Sequence, residues 1–583
     1  MSIVIEENIM VPMRDGIKLA TDVYRPAEIG QWPVLVTRVP YNKDLRIPAP
    51  GQEHKRLFLE LNLDVERVIE AGYVIVAQDT RGCFASEGEF TPGLYEETDG
   101  FDTIAWAARQ PWSSGKVGMY GVSYQGLTQW QAAGEQPEAL RAIAPTQSPD
   151  PTTLAYQGGA FLLGIALSWT LQGLTGELLW DWQQGRIGPA EFEEVVQAEQ
   201  NIKTWYERLP LVDIPLFRDR APYYFEWLAH PNFDDYWRTS ALQTVPEHVT
   251  IPALITAGWY DIFLNKDLHY YRSMKERGGN ILARQQTRLL IGPWPHGDFQ
   301  SGFAERNYGE ASDAMEMLTT MQIRWFDHWL KGLETGLERE KPVKIFVMGI
   351  NQWREEEDWP LPDTRYTPYY LHSEGQANTA QGNGRLSTQL AGEEAEDSYC
   401  YDPLQPVPTL GGALLTAGNG PRDQREIEAR QDVLCYTTEP LEQAVEVTGT
   451  IELVLYVSSS APDTDFTGKL VDVFPDGYAQ NLTDGIVRMR YRQSLAQPAL
   501  MEHGQIYEVH INLGATSNVF LANHRIRLEV SSSNFPRFDR NSNTGGTIAT
   551  ESAQDMQQAI NRIYHDSLHP SHLLLPLIER SQS

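Results

Sequence analysis

Cysteine is scarce in this chain, with three residues among 583: Cys83, Cys400 and Cys435. They show no C-x-x-C spacing and cannot all pair with one another, so we expect reduced thiols. Long hydrophobic runs are missing as well, since no stretch approaches the about 18 uncharged apolar residues of a transmembrane helix. The first residues lack a basic segment followed by an apolar one, so no signal peptide is expected. Together these features predict a cytoplasmic protein.

Positive charge is also in short supply. The chain has 47 lysines and arginines against 78 aspartates and glutamates, and its formal net charge is −31. A surface of this sign repels nucleic acid and anionic membranes, so we expect neither as a partner. The H-E-x-x-H, P-loop and EF-hand motifs do not occur, and we therefore expect no metal and no cofactor. Aromatic residues are plentiful, with 16 Trp and 26 Tyr, which suits large cores and apolar pockets.

The length predicts about two to four domains. The first 150 residues alternate short apolar runs with helical patterns, which is typical of βαβ units and a mostly parallel sheet. Four runs read as buried strands: "PVLVTR" (33–38), "YVIVAQ" (73–78), "KVGMYG" (116–121) and "RAIAP" (141–145). Two more such runs come much later: "PALITAG" (252–258) and "TRLLIG" (287–292). We therefore predict an α/β core formed by residues 1–150 and 247–345.

Residues 151–246 interrupt this core with helical patterns and no strand signal, which predicts a helical cap above the active site. From about Pro342 the chain changes to β-branched alternating runs between turns, beginning with "VKIFVMG". This pattern predicts an all-β domain, a jelly roll, over residues 346–583. Within it, the polar residues 372–398 are expected to be a loop or mobile connection.

A candidate nucleophile lies in "YGVSYQGLTQW" (120–130). A nucleophile elbow should read G-x-S-x-G, and Gly121 and Ser123 fit this pattern. Gln125 stands where the second glycine belongs, and Gly126 comes one place late. The strand before Ser123 and the helix after it are the context that an elbow requires, so the sequence favours a catalytic serine.

A serine hydroxyl needs a base to take its proton and an acid to orient that base. In α/β-hydrolases these partners follow the serine in the order acid, then histidine, at the ends of later strands. Asp261 ends "PALITAGWYDIF" and His296 ends "TRLLIGPWPHGD". His269 and His328 are interpreted as packing or solvated groups. Order and strand-end placement therefore make Asp261 and His296 the predicted partners of the serine.

The oxyanion of the tetrahedral intermediate needs hydrogen-bond donors. One is expected from the backbone N–H of Tyr124, directly after the nucleophile. The HGGG loop that supplies the other donor in lipases does not occur here. Tyr41, in the "PYNK" that follows a predicted strand, has a phenol that could donate instead, although a tyrosine read alone is more often a packing residue.

Several long strings follow one another in the order found in a known family. They are "VPMRDGIKLATDVYRP", "PYNK", "QDTRGCFASEGEF", "GVSYQGLTQWQAA", "GWYDIF", "GPWPHG", "KLVDVFPDG" and "FDRNSNTGG". They resemble the cocaine esterase/X-prolyl dipeptidyl peptidase family of α/β-hydrolases along essentially the whole chain, and in that family the elbow reads G-x-S-Y-x-G. The resemblance implies an α/β-hydrolase core, an inserted helical cap and a C-terminal jelly roll.

The resemblance also implies roles for individual residues. Ser123 takes the nucleophile position, His296 that of the base and Asp261 that of the orienting acid. The Tyr41 hydroxyl and the Tyr124 N–H fall on the oxyanion-hole positions.

For the acyl pocket the resemblance implies Trp169, Phe263 and Leu415. The loop that has leucine followed by phenylalanine in the family's esterases reads Leu415 then Thr416 here, which weakens the case for an aromatic acyl group. Asp261 is followed by apolar residues, where relatives acting on α-amino esters carry an acidic pair. We therefore expect neutral acyl esters as substrates.

The leading hypothesis is a serine carboxylesterase that acts on a small-molecule ester through an acyl-enzyme. An X-Pro dipeptidyl peptidase or an amino-acid ester hydrolase of the same family is the alternative. An inert hydrolase core that serves a jelly-roll binding protein is a third hypothesis, which the complete set of catalytic residues disfavours. The sequence leaves the oligomeric state open, with a homodimer as one expectation.

Overall fold

The computed structural model describes residues 2–49, 52–240, 245–300 and 302–580. Fourteen strands lie in the described residues up to Glu356. In chain order they are β1 (Ile3–Pro12), β2 (Lys18–Pro26), β3 (Trp32–Val39), β4 (Arg46–Ala49), β5 (Gln52–Arg56), β6 (Val74–Asp79), β7 (Ser113–Val122), β8 (Leu140–Thr146), β9 (Tyr156–Gln157), β10 (Ala160–Phe161), β11 (Leu254–Tyr260), β12 (Arg288–Pro295), β13 (Val343–Val347) and β14 (Gln352–Glu356).

Ten of these strands form one sheet in the order β1-β2-β6-β3-β7-β8-β11-β12-β13-β14. The pairs from β6 to β13 are parallel, whereas β1, β2 and β14 pair antiparallel with their neighbours. The central strands are buried along their whole length, as the near-continuous apolar runs of a parallel sheet require. Because parallel strands place their carboxyl ends at one edge, the loops after β7, β11 and β12 meet there.

Twelve α-helices lie in the described residues. They are α1 (Val65–Glu70), α2 (Glu96–Ala108), α3 (Tyr124–Gly134), α4 (Leu163–Gln183), α5 (Pro189–Gln200), α6 (Ile202–Tyr206), α7 (Pro222–Ala229), α8 (Asp235–Ser240), α9 (Val245–His248), α10 (Leu264–Arg277), α11 (Ile281–Gln286) and α12 (Met315–Phe326). Helices α4 to α8 fall between β10 and β11, in the segment expected to form the cap. Helix α4 is buried from Leu163 to Leu171 because it is apolar on all sides there.

The remaining strands form a second sheet. They are β15 (Arg365–His372), β16 (Arg385–Ser387), β17 (Asp397–Tyr401), β18 (Leu434–Thr437), β19 (Val445–Ser459), β20 (Asp465–Val473), β21 (Ala479–Arg488), β22 (Tyr507–Phe520), β23 (Arg525–Ser531), β24 (Ala559–Tyr564) and β25 (His572–Ile578). Their order is β17-β24-β19-β25-β15-β16-β18-β23-β20-β21, and β22 pairs with β19. This all-β region joins the core where Met348 N–H donates to the Ser517 carbonyl at 2.9 Å.

The segment after residue 341 differs from the sequence-based expectation. "VKIFVMG" was expected in the all-β domain, yet β13 pairs in parallel with β12, with Leu289 opposite Val343. The first sheet thus extends through β14 to Glu356, past the boundary expected at 345. A β-branched alternating run marks a strand but not the sheet that it joins, and here α12 provides the crossover back to the parallel sheet.

The polar segment 372–398 is mostly irregular, as expected, but it includes β16 and the start of β17.

Candidate active site

Ser123 lies in the sharp turn between β7 and α3. Its backbone has φ 63° and ψ −126°, in a region that residues other than glycine rarely adopt. The Ser123 N–H donates to the Thr146 carbonyl at 2.9 Å, which ties the turn to the neighbouring strand β8. The side chain remains partly exposed at the end of the sheet. A strained serine between a strand and a helix is the geometry of a nucleophile elbow.

The unusual glycine spacing of the elbow has a steric cause. A Cβ atom on Gly121 would lie 2.4 Å from Gln125 Oε1, and one on Gly126 would lie 1.9 Å from Ser148 Oγ. Gln125 occupies the place of the usual second glycine and fastens the turn. Its Oε1 accepts from the Val122 N–H at 2.9 Å, and its Nε2 donates to the Phe58 carbonyl at 2.7 Å. The glycine that lets α3 pack closely against Ser148 is therefore Gly126, one position later than in the usual motif.

Asp261 and His296 are paired beside the serine. His296 Nδ1 lies 2.6 Å from Asp261 Oδ1, and the second carboxylate oxygen accepts from the Phe263 N–H at 2.8 Å. The Asp261 side chain is fully buried and that of His296 is 8% exposed. Because Nδ1 faces the carboxylate, Nε2 is the imidazole nitrogen left for substrate chemistry. His296 and Ser123 line the same cavity.

Gln147, a residue that the sequence analysis missed, holds the loop that carries His296. Its Oε1 accepts from the Gly297 N–H at 2.7 Å, and its Nε2 donates to the Pro295 carbonyl at 2.8 Å. Its own N–H donates to the Thr256 carbonyl of β11 at 2.7 Å. The only signal for this role in the sequence is a glutamine directly after β8, the strand beside the elbow.

A second buried acid, Asp267, also escaped the sequence analysis. Its Oδ1 accepts from the Ser148 N–H at 3.0 Å. Burial, together with the charge of Asp261, raises the pKa of Asp267 well above its usual range. Burial and the neighbouring charge therefore favour the neutral form of the Asp267 carboxyl.

Tyr41 lines the same cavity as Ser123, and its hydroxyl accepts a hydrogen bond from Trp169 Nε1 at 2.9 Å. Burial raises the pKa of Tyr41 to about 12, although the hydrogen bond from Trp169 opposes this shift. The phenol therefore stays protonated at neutral pH and can donate a hydrogen bond.

The ring of Tyr124 is held by hydrogen bonds, and its backbone N–H lies at the start of α3. Its phenol donates to Glu96 Oε1 at 3.0 Å and accepts from the Gly93 N–H at 2.8 Å, while Arg38 forms an ion pair with the same glutamate. Tyr124 is the first residue of α3, where a backbone N–H has no acceptor within the helix. That N–H is therefore available to an oxyanion.

The site opens into one cavity of about 370 Å³. Trp169 and Leu415 are among its lining residues. Phe263 is 2% exposed and is not among the described residues that line this cavity. Its ring instead meets His296 edge-on, with centroids 5.2 Å apart, because its N–H is held by Asp261. The other lining residues are mostly apolar, and Glu199 is the acidic one among them: Asn42, Leu45, Phe58, Leu61, Phe84, Val122, Gln172, Gly173, Thr175, Gly176, Leu179, Glu199 and Gly297.

Within the described residues no helix combines the length and the apolar character that crossing a bilayer demands. Nor do three or more His, Cys, Asp or Glu side chains come together, in the part of the chain that is described, in a way that could hold a metal ion.

The strand order, the elbow and the acid–histidine pair define a serine hydrolase of the α/β-hydrolase class. The chain belongs to the X-Pro dipeptidyl-peptidase (S15) family: the family model matches residues 15–298, and the model of the X-Pro dipeptidyl-peptidase C-terminal non-catalytic domain matches residues 335–574. The chain is 46% identical over 583 residues to the cocaine esterase of Rhodococcus sp. (strain MB1 Bresler), and the match covers 99% of both chains.

Solved structures share this architecture over nearly the whole chain. An aminopeptidase from the marine sediment archaeon Thaumarchaeota archaeon superposes with a TM-score of 0.82 at 25% identity, covering 99% of this chain and 97% of that one. An α-amino acid ester hydrolase superposes with a TM-score of 0.79 at 25% identity, with the same coverage. The predicted fold class, an α/β-hydrolase-type domain with a C-terminal all-β domain, is confirmed.

Proposed function

We propose that this serine hydrolase is a carboxylesterase that works through an acyl-enzyme on Ser123. The single observation that carries the proposal is the convergence of Ser123, His296 and the Tyr41 hydroxyl on one apolar cavity. The Ser123 oxygen attacks the ester carbonyl, the C–O bond to the alcohol breaks, and the alcohol leaves. Water then attacks the acyl-enzyme, releases the acid and restores the serine.

His296 acts as general base and then as general acid in each half of this cycle. Its Nε2 takes the proton of the serine and delivers it to the departing alcohol, then takes a proton from water and returns it to the serine. Asp261, 2.6 Å from Nδ1, keeps the imidazole in the tautomer that exposes Nε2 and stabilises the imidazolium.

The oxyanion is held by the Tyr41 hydroxyl and the Tyr124 N–H. Both donors are fixed before substrate arrives, because Tyr41 is hydrogen-bonded to Trp169 and the Tyr124 ring is anchored to Glu96. Preorganised donors of this kind stabilise the charge that appears only in the transition state.

The substrates that we propose are esters with an uncharged acyl group. The cavity wall is mostly apolar, and each methylene buried there contributes roughly 0.8 kcal/mol. The Rhodococcus relative is named cocaine esterase, which supports ester hydrolysis here. Thr416, next to Leu415 of the lining, contributes no aromatic ring to this part of the wall.

We also propose a cytoplasmic location, which is supported by three cysteines that form no disulfide with one another in the described residues. A homodimer remains a prediction, and size-exclusion chromatography with light scattering measures it directly.

Labelling with a fluorophosphonate tests the proposed function. The reagent should modify Ser123 in the native enzyme and abolish hydrolysis of a p-nitrophenyl ester, with the modified peptide identified by mass spectrometry. Ser123→Ala should lose the label and nearly all turnover while it unfolds at the same temperature. Ser494, which is partly exposed like Ser123, serves as the matched control, since Ser494→Ala should be labelled and active like the native enzyme. Substantial turnover by Ser123→Ala would overturn the mechanism.

A further inference from the structure

The Tyr41 hydroxyl has a hydrogen-bond partner whose chemistry fixes the direction of the bond. Trp169 Nε1 lies 2.9 Å from the phenol oxygen, and an indole N–H can only donate. The phenol oxygen is therefore the acceptor in this contact. Its own proton is not used there and is left for an acceptor in the cavity that Tyr41 lines together with Ser123.

The indole that donates this hydrogen bond is itself held rigidly. Trp169 is 8% exposed and stacks on the ring of Tyr124, with centroids 6.3 Å apart and planes 15° apart. Three further aromatic rings surround it at 5.7 to 6.3 Å: Phe90, Tyr223 and Trp227. A large side chain with this packing has one available orientation, so its N–H is fixed in direction.

Trp169 belongs to α4, the first helix of the cap, whereas Tyr41 follows β3 of the core. The hydrogen bond spans 128 residues of sequence and connects the two parts of the molecule. The same indole touches both residues to which the oxyanion hole is assigned, Tyr41 by its N–H and Tyr124 by its ring face.

We propose that Trp169 is a positioning residue that orients the Tyr41 hydroxyl toward the oxyanion, so that the cap helix completes the oxyanion hole. This inference rests on the proposed esterase function. The hydrogen bond from the indole also polarises the phenol and makes its O–H a stronger donor, because hydrogen bonds in a chain reinforce one another. This hydrogen bond lowers the pKa of Tyr41, whereas burial raises it, and a lowered pKa agrees with a stronger donor.

A double-mutant cycle tests the proposal on two esters, p-nitrophenyl acetate and p-nitrophenyl phenylacetate. Trp169→Phe should lower kcat about three- to tenfold on both esters, the value of one ordinary hydrogen bond. In the Tyr41→Phe background the same change should cost less than about twofold, because the hydroxyl that it orients is already gone. A role in lining the acyl pocket predicts the opposite: a rise in KM on the phenylacetyl ester alone, of equal size in both backgrounds.

Trp227→Phe is the matched control. Trp227 lies 6.0 Å from Trp169 in the same aromatic cluster. The control therefore loses an indole of this cluster while the Trp169 N–H and its contact with Tyr41 stay in place. It should keep kcat within about twofold of the native value.

An isosteric replacement of Trp169 by 3-benzothienylalanine, which has sulfur in place of the N–H, keeps the ring shape if Trp169→Phe fails to fold. It should reproduce the loss in kcat. Unchanged kcat in this variant, or equal losses with and without the Tyr41 hydroxyl, would overturn the inference. A native enzyme that neither hydrolyses esters nor takes the fluorophosphonate on Ser123 would instead overturn the proposed function.

Discussion

Gln147 brackets His296 by bonding the backbone on both sides of it. The glutamine accepts from the Gly297 N–H at 2.7 Å and donates to the Pro295 carbonyl at 2.8 Å, so the imidazole is carried on a short, clamped segment. The Asp261 carboxylate then fixes the ring itself. Gln147, which follows β8, thus holds the backbone of the proposed base, and Asp261, which follows β11, holds its ring.

Removing the clamp should damage catalysis more than stability. Gln147→Leu leaves the partly buried Gly297 N–H and the buried Pro295 carbonyl unpaired. A fully buried group left unpaired costs about 1–3 kcal/mol, and the loop can reduce this cost by moving His296. We expect kcat to fall about tenfold or more, since small displacements of a base are costly. Steady-state kinetics checks this. Gln424→Leu, at a buried glutamine of the all-β region, is the control and should change stability without changing kcat. Equal kcat in Gln147→Leu and the native enzyme would contradict the positioning role.

Tyr41→Phe removes one oxyanion donor and almost no volume. By comparison with other oxyanion-hole deletions, kcat should fall about 10²–10³-fold with a smaller change in KM. Ester hydrolysis at saturating substrate measures the effect. An unchanged kcat would leave Tyr41 with a packing role alone.

Glu177 should make the stability of the protein depend on pH. Burial, with the charge of Asp181, raises the pKa of Glu177 to about 7, above its ordinary value of 4.5. Between these two values the unfolded chain ionises and the folded one does not, so folded stability is lost as pH rises toward 7. Glu177→Gln removes this loss.

The variant should therefore match the native protein near pH 4.5 and exceed its free energy of unfolding by about 1–3 kcal/mol above pH 7. Thermal unfolding across this pH range measures the difference. Glu193→Gln, at an exposed glutamate of α5, is the control and should show no such trend. A gain that is largest at low pH would show that the sign is wrong.

Esters of α-amino acids should be poor substrates. An ammonium that is buried without a partner costs several kcal/mol, and the acid followed by Ile262 and Phe263 offers none beside the proposed triad. We expect kcat/KM for a phenylacetyl ester to exceed that of the phenylglycyl ester of the same alcohol by at least about tenfold. Glu199 is the acidic residue on the cavity wall and the one there that could pair with an ammonium. We expect that it does not, and Glu199→Gln should then leave this ratio unchanged. A native preference for the amino ester that Glu199→Gln abolishes would reverse the assignment.

The architecture and the proposed triad follow from local sequence signals. Apolar runs of strand length predict β3, β6, β7, β8, β11 and β12, and the residues directly after β7, β11 and β12 include Ser123, Asp261 and His296. These signals work because a parallel sheet gathers its strand ends at one edge, so position along the chain already implies proximity. The assignment of β13 and β14 to the first sheet could not be predicted in this way, since a strand pattern does not identify its neighbour.

The sequence by itself determined which residue types stand at the ends of the strands and where the glycines of the elbow lie. Only the tertiary structure decided that Gln147 clamps the histidine loop, that Phe263 faces His296 instead of the cavity, and that Trp169 donates to Tyr41. These contacts join residues that are 148, 33 or 128 positions apart in the sequence. Spacing along a chain carries no information about such contacts, because they arise where packed elements from different parts of the molecule meet and fix one another's side chains.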